Sequence, residues 1–322
     1  MQNLDMPWTE KYRPKTLNEV IGQQLIVKRL KAFVERGNFP NMIFAGSAGI
    51  GKTTCAIALA NDLYKGKTDG VLKEVNASDA RGIDVIRGEI KEFAKTVALA
   101  DVPFKIMFLD EADALTADAQ HALRRTMEKY TKETRFILSA NYANKIIEPI
   151  QSRCVIFRFK PLSWQDMKEY IERIAKGEEL KLDEKAIEAL IYVSDGDMRK
   201  LTNTLQSAAL QSDKITESNI YEVAARARPK EITTMLKLAA SGNFEDARKE
   251  LDVLMLTHGM GAEDILTQCY REVQGMNLDE HLKLIIIKAI GESNFRIVEG
   301  ANERIQMEAL LAEISLSSNK AK

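Results

Sequence analysis

Residues Gly46-Ser47-Ala48-Gly49-Ile50-Gly51-Lys52-Thr53 fit the pattern G-x-x-x-x-G-K-[ST], between a short apolar run and a helical pattern. Glycines let the backbone curl until its N–H groups point at phosphate oxygens, and a helix start adds partial positive charge at the same place. Lys52 supplies a cation for β- and γ-phosphates, and the Thr53 hydroxyl a hard oxygen for Mg2+. With Thr54 beside them, these residues form an expected ATP-binding loop. A second stretch, Ile106-Met107-Phe108-Leu109-Asp110-Glu111, buries four apolar residues and then emits two carboxylates. Asp110 is the expected Mg2+ holder. Glu111 is the expected base, or orienting group, for an attacking water. Taken alone, Asp-Glu after an apolar run reads as a solvated loop. Paired with the glycine-rich loop, it reads as the second half of an ATP-hydrolysing site.

Two more polar residues suit this chemistry. Asn141 follows the run Arg135–Ser139, where a side-chain amide can align water near a γ-phosphate; a turn-forming Asn fits the same position. Arg199 stands in Gly196-Asp197-Met198-Arg199 at the start of a helical pattern. From there it can touch phosphate across a cleft, or simply sit on the surface.

For such residues to meet, several strands must end at one sheet edge. Asn41–Ala45, Lys105–Leu109, Arg135–Ser139 and Val155–Phe159 read as strands, with helical patterns at Lys52–Leu63, Asp84–Val97 and Ala117–Tyr130 between them. That alternation predicts an α/β fold: an open parallel sheet with helices on both faces, which binds ligands at the carboxyl ends of its strands. Beyond Pro161 the patterns are helical, at Trp164–Lys176, Glu184–Ser194 and Met198–Gln211. Beyond Pro229 they continue at Glu231–Ala240, Phe244–His258, Ala262–Val273, Asp279–Gly291 and Glu303–Ile314. The expected domains are a nucleotide-binding α/β domain (1–161), a small helical lid (162–228) and an all-α C-terminal domain (229–322).

The 322 residues are 45% hydrophobic and 29% charged, an ordinary globular balance that suits two or three domains. No apolar run approaches the length needed to span a bilayer, and the first ten residues lack the basic and apolar regions of a signal peptide. A soluble, cytoplasmic protein without membrane partners is expected. Net charge is −1, so any nucleic-acid contact must come from basic residues gathered on one face. Cys55, Cys154 and Cys269 are too scattered for a zinc site or a disulfide framework and read as buried thiols.

Several motifs together resemble one family. Trp8-Thr9-Glu10-Lys11-Tyr12-Arg13-Pro14, followed by Val20-Ile21-Gly22-Gln23, is similar to the N-terminal box of replication factor C subunits. Asn76-Ala77-Ser78-Asp79-Ala80-Arg81-Gly82, Leu109-Asp110-Glu111-Ala112-Asp113, Leu123-Arg124-Arg125-Thr126-Met127-Glu128 and Ser152-Arg153-Cys154 also resemble that family. Ala301-Asn302-Glu303-Arg304 resembles its archaeal small subunit. The resemblance implies an AAA+ ATPase that works in a pentamer with a large subunit and further small subunits. It implies ATP-dependent loading of a ring-shaped sliding clamp onto primer–template DNA, with the C-terminal domain forming a collar. By motif, it further implies that Asn141 and Arg199 are the two sensors of the nucleotide. Arg153 would be a finger reaching a neighbouring subunit's ATP, and Tyr12, Arg13 and Ile21 would line the adenine pocket. Read without the resemblance, Arg153 is only a basic residue before a strand. Ser47, Ala48 and Ile50 depart from the commoner family loop, but its Gly, Lys and Thr are all present.

Arg87, Lys91 and Lys95 recur every four residues beside an apolar face of Ile83, Ile86, Ile90, Phe93 and Val97, with Arg81 ahead of them. Alone, this stripe is a solvated face balanced by Glu89 and Glu92. With the resemblance, it is an expected DNA-backbone contact, which carries no base code. The rival function is another AAA+ machine acting on nucleic acid or protein, such as a branch-migration motor or a remodeller; it would lack the combined N-terminal box and Ser-Arg-Cys. A scaffold that binds ATP without hydrolysing it is disfavoured by the presence of Lys52, Thr53, Asp110 and Glu111.

Overall fold

The computed structural model describes residues 6–79, 84, 86–97, 102–212 and 214–319. Five strands form the sheet: β1 (Met42–Ala45), β2 (Leu72–Asn76), β3 (Lys105–Asp110), β4 (Thr134–Ala140) and β5 (Val155–Arg158). Their order is β2-β3-β4-β1-β5, and every neighbouring pair is parallel. β1 is buried at all four positions, and β3 at its first five. Such continuous burial needs helices on both faces, and the alternation of side chains divides the core accordingly. Met42, Phe44, Ile106 and Phe108 pack on one face with Leu30 and Leu59 of the helices Gln24–Arg36 and Lys52–Leu63. Ile43, Ala45, Met107 and Leu109 pack on the other with Leu123 and Met127 of the helix Ala117–Lys129.

Four of these strands match the expected ones to within a residue or so, whereas β2 has no counterpart in the sequence reading. Its residues, Leu-Lys-Glu-Val-Asn, are only partly buried because it is an edge strand, so no continuous apolar run marks it. The helix expected over Asp84–Val97 is not regular. A π-helical turn, Ile86–Ile90, leads into a short helix, Lys91–Lys95, and Thr96 turns to extended backbone. Ile86 and Ile90 are buried as expected, but Val97 lies beyond the helix end and is 78% exposed.

Two compact units result. One holds the described residues up to Leu182 together with 190–212, and so includes the sheet and the helices Trp164–Gly177 and Met198–Ala209. The other holds 183–189 and the described residues from 214 onward. In that second unit the helices Pro229–Ala240, Phe244–Asp252, Ala262–Gly275, Glu280–Val298 and Glu303–Asn319 enclose a core that includes Leu236, Leu266, Ile286 and Leu311. The α/β module and the all-α C-terminal domain are therefore as expected. The border proposed near 161 falls within the first unit. Pro229 is the first residue of a helix, where its fixed φ and missing N–H cost nothing. Among the described residues, no helix is long and apolar enough to cross a membrane. Burial pushes the thiols of Cys55, Cys154 and Cys269 up to about 12, so little thiolate forms at neutral pH.

Candidate active site

Three adjacent strands deliver the site. β1 runs into the glycine-rich loop, whose Gly46 N–H donates to the carbonyl of Ala140 at the end of β4 (3.1 Å). β4 continues into Asn141, and β3 ends at Asp110 and Glu111. The parallel register puts all these ends on one edge, as the topology requires.

Lys52 opens the helix Lys52–Leu63 and is only 8% exposed. Its ammonium donates to the carbonyls of Gly46 (2.7 Å) and Ser47 (2.7 Å) and to Asn141 Oδ1 (3.0 Å). Three N–H groups thus meet three acceptors. Burial pulls its pKa down, Asp110 opposes that pull, and Arg199 adds to it. The Thr53 hydroxyl donates to Asp110 Oδ2 at 2.7 Å, and the other Asp110 oxygen accepts from the Glu111 N–H at 3.0 Å. Glu111 has φ 51° and an exposed side chain. A left-handed non-glycine residue at a strand end holds about 1–3 kcal/mol of local strain. The turn after it is tied to β4, because the Tyr142 N–H donates to Asp113 Oδ2 (3.1 Å).

The helix Met198–Ala209 is fixed against the loop. Asp197 caps its start, accepting from the N–H groups of Arg199 (2.8 Å) and Lys200 (3.1 Å), while the Met198 N–H donates to the Gly49 carbonyl (3.0 Å). Gly49 has φ +71°, and a Cβ added there would stand 1.9 Å from Asp197 Oδ1. Gly49→Ala combines the left-handed penalty of about 1 kcal/mol with a collision at a cap that cannot yield without freeing the helix start. It is expected to weaken ATP binding by at least about tenfold, or roughly 1.4 kcal/mol, and to lower Tm by a few degrees. Calorimetric titration and a thermal melt check this; wild-type affinity and Tm together would contradict the packing described.

These groups surround a cavity of about 340 Å3, a volume typical of small-molecule sites. Loop residues 48–54 line it with Asp110, Glu111, Asn141 and Arg199, and so do Arg13 and Ile21. Gly46 and Ser47 serve it through the carbonyls that hold Lys52. Tyr12 departs from expectation: it is not among the lining residues. Its hydroxyl donates to Glu178 (2.6 Å), and burial with that bond raises its pKa. The strap of residues 8–14 follows a helical turn, Trp8–Lys11, that sends Tyr12 away from the cavity and Arg13 toward it. Thr9, within the N-terminal box, also lines the cavity, and so do Tyr170, Thr202 and Asn203, which no motif announces. Asp197 could have been found as an N-cap signal, Asp before a helical pattern.

Arg153 lies away from this cavity. It pairs with Glu128 (2.7 Å), donates to the carbonyl of Pro149 (2.7 Å), and has a side chain 42% exposed. Lys91 and Lys95 are exposed on their short helix. Arg81 and the side chain of Arg87 lie outside the described residues.

Residues 42–162 match the ATPase family associated with various cellular activities (AAA), and residues 227–313 match the replication factor C C-terminal domain. The chain is 55% identical over 313 residues to a replication factor C small subunit of Methanococcus maripaludis, covering 97% of this chain and 99% of that one. It is 52% identical over 320 residues to that of Archaeoglobus fulgidus, covering 99% and 100%. Among solved structures, the Thermotoga maritima RuvB Holliday junction branch migration motor is similar in fold. Its TM-score is 0.57 at 19% identity, over 80% of this chain and 91% of that one.

Proposed function

Because the chain belongs to the replication factor C small-subunit family and carries its AAA ATPase domain, we propose that it is a clamp-loader subunit that couples ATP hydrolysis to placing a sliding clamp on primer–template DNA. The observation carrying this reading is the convergence of Lys52, Thr53, Asp110 and Asn141 at one sheet edge, inside a chain related over 97% of its length to a small subunit. The proposed partners are a large subunit and further small subunits in a pentamer, the clamp, and primer–template DNA, in the cytoplasm. The likeness to a branch-migration motor is one of fold and favours no such activity here.

In this reading Lys52 and the N–H groups of the glycine-rich loop bind the triphosphate. Thr53 and Asp110 present two hard oxygens 2.7 Å apart, a donor set that fits Mg2+ together with phosphate and water oxygens. Bound there, Mg2+ would neutralise charge on the transferring phosphoryl group. Glu111 takes the proton of the attacking water, Asn141 aligns that water, and Arg199 meets the phosphates from the helix it opens. Arg153 acts on a neighbour's nucleotide. Arg87, Lys91 and Lys95, with Arg81, contact the DNA backbone.

The function is tested by assembling the chain with its large subunit and measuring ATP-dependent retention of the clamp on nicked circular DNA. Clamp retention independent of ATP, or none at all with a competent large subunit, would overturn the reading. Glu111→Gln separates binding from chemistry: it keeps size and hydrogen bonding but removes the base. ATP affinity should stay within about twofold while turnover falls by about 10²–10⁴. Single-turnover hydrolysis at wild-type rate would deny Glu111 its role.

A further inference from the structure

The strap of residues 8–14 has two sides. At helical spacing, Trp8, Lys11 and Tyr12 share one, and Thr9, Glu10 and Arg13 belong to the other. Thr9, Glu10 and Arg13 line the ATP cavity. Trp8, Lys11 and Tyr12 are instead fastened to two helices of the same unit. The Trp8 N–H, left without a partner inside its own short helix, donates to Gln206 Oε1 (3.0 Å) of the helix Met198–Ala209. Lys11 Nζ and the Tyr12 hydroxyl both donate to Glu178 Oε1, each at 2.6 Å, just past the helix Trp164–Gly177. The rings of Trp8 and Tyr12 meet edge-on, with centroids 6.4 Å apart. Gln206 stands seven residues past Arg199, about 10 Å along the helix axis. The strap therefore closes the cavity at the end away from the phosphate loop.

Core packing does not hold this strap. No residue of its helical turn Trp8–Lys11 is buried, and a four-residue helix does not persist on its own. Its place depends on the polar anchors. Glu178 is the larger of them: one oxygen takes two donors, and its side chain is only 17% exposed, so water competes poorly for that oxygen. The carboxylate does not serve the helix before it. A negative charge beside a helix C-terminus meets the negative end of the macrodipole. Gly177 completes the fit. A Cβ there would overlap the Tyr12 hydroxyl oxygen and stand 3.1 Å from two atoms of its ring, so Tyr12 reaches Glu178 across a residue without a side chain.

We propose that Glu178 is a positioning residue for ATP: through Tyr12 and Lys11 it clasps the strap shut over the bound nucleotide and sets how long the nucleotide stays. The inference rests on the ATP-site reading above and deepens it. Glu178 is not among the residues that line the cavity, so its effect passes through the strap. Thr9, Glu10 and Arg13 ride on a segment that opens when Tyr12 and Lys11 leave Glu178. Loss of the clasp speeds ATP dissociation and leaves the chemistry at Lys52, Asp110 and Glu111 unaltered. One carboxylate then governs retention, and another, Glu111, governs hydrolysis.

The test reads ATP affinity of the full chain by calorimetry and turnover at saturating ATP in the assembled complex. Glu178→Ala should raise the Kd for ATP about tenfold, as expected for losing a hydrogen bond to a charged group. Turnover at saturation should stay within about twofold of wild type. Tyr12→Phe combined with Glu178→Ala should bind no more weakly than Glu178→Ala alone, because both remove one contact. Gly177→Ala separates the clasp from the fold. Alanine is the better helix former, so the melting temperature should hold or rise while Kd rises about tenfold. In a Trp164→Phe background Trp8 is the sole tryptophan, and acrylamide should quench it more strongly in Glu178→Ala and Gly177→Ala than in their parent. Wild-type Kd in both Glu178→Ala and Gly177→Ala would overturn the clasp. So would a fall in saturated turnover as large as the loss of affinity, which would assign Glu178 to the fold of the site. A wild-type chain that binds no ATP would remove the ATP-site reading and the clasp with it.

Discussion

Lys52→Ala should raise the Kd for ATP by about 100-fold or more. The side chain is buried, and its ammonium sits among the Gly46 and Ser47 carbonyls and the Asn141 amide oxygen, at the mouth of a loop whose other phosphate-facing groups are neutral N–H donors. A charge-assisted contact to phosphate in such a place contributes about 1.5–3 kcal/mol, and Lys52 is positioned to make more than one. A loss of about 3 kcal/mol is a factor of roughly 150 in Kd. The variant also leaves the three acceptors without a donor, so the loop itself should loosen. Lys52→Arg is expected to fail nearly as badly. Three acceptors at 2.7, 2.7 and 3.0 Å around one nitrogen suit a compact ammonium, and a planar guanidinium cannot meet them from one centre. Isothermal titration calorimetry of both variants, with circular dichroism to check folding, reads the result. Near-normal ATP affinity in a folded Lys52→Ala protein would remove the nucleotide-site assignment.

Arg153→Ala should leave ATP binding intact and reduce hydrolysis in the assembled complex by about 10³-fold or more, the lower end of what a finger supplied in trans contributes. The geometry agrees with action on a neighbour: the guanidinium is outside the chain's own cavity and points from a half-exposed position at Glu128. Mixing provides the decisive measurement. Subunits carrying Lys52→Ala should bind nucleotide too weakly to hydrolyse it but would still offer a finger; subunits carrying Arg153→Ala should bind nucleotide but would lack one. Where a Lys52→Ala subunit adjoins the ATP of an Arg153→Ala subunit, both parts are wild type, and ATPase activity should recover partially. The finger stabilises charge in the transition state and needs no nucleotide of its own. Co-assembly is established first by native mass. No recovery at any mixing ratio, in assemblies shown to be mixed, would refute action in trans. A wild-type rate in Arg153→Ala alone would exclude the finger altogether.

The parts of the site that could be read in the sequence are those whose chemistry is local. The loop 46–54 carries its own geometry in its glycines, and Asp110-Glu111 is announced by the run that buries β3. Both sit where expected, and the structure brings Asn141 and Arg199 to them. What stayed hidden depends on distant residues. Nothing near Tyr12 says that Glu178 holds its hydroxyl, which keeps it off the cavity that Arg13 and Ile21 line. The contact of Gly49 with Asp197 joins residues far apart in sequence that only folding brings together. β2 escaped because an edge strand needs no continuous apolar run. The π turn at Ile86–Ile90 escaped because an apolar face at 3-and-4 spacing looks the same whether or not one turn is widened.

The ion pair between Arg153 and Glu128 bears on how a ring of such subunits would cycle. If the guanidinium leaves this carboxylate for a neighbour's phosphate, it trades one anion for another without passing through an uncompensated state. The exchange is close to isocoulombic, so its free energy should depend only weakly on ionic strength, unlike a contact with DNA that sheds counterions. Assembly and DNA engagement would then respond differently to salt: a rise in salt could free the complex from its template while its internal ATP contacts stay engaged. The resident carboxylate, with the Pro149 carbonyl, also holds the side chain in place beforehand, which would lower the rotamer entropy lost when the neighbour arrives. On the proposed role, a subunit built this way would rest with its finger held at Glu128, and the same carboxylate would take the guanidinium back when the phosphate departs.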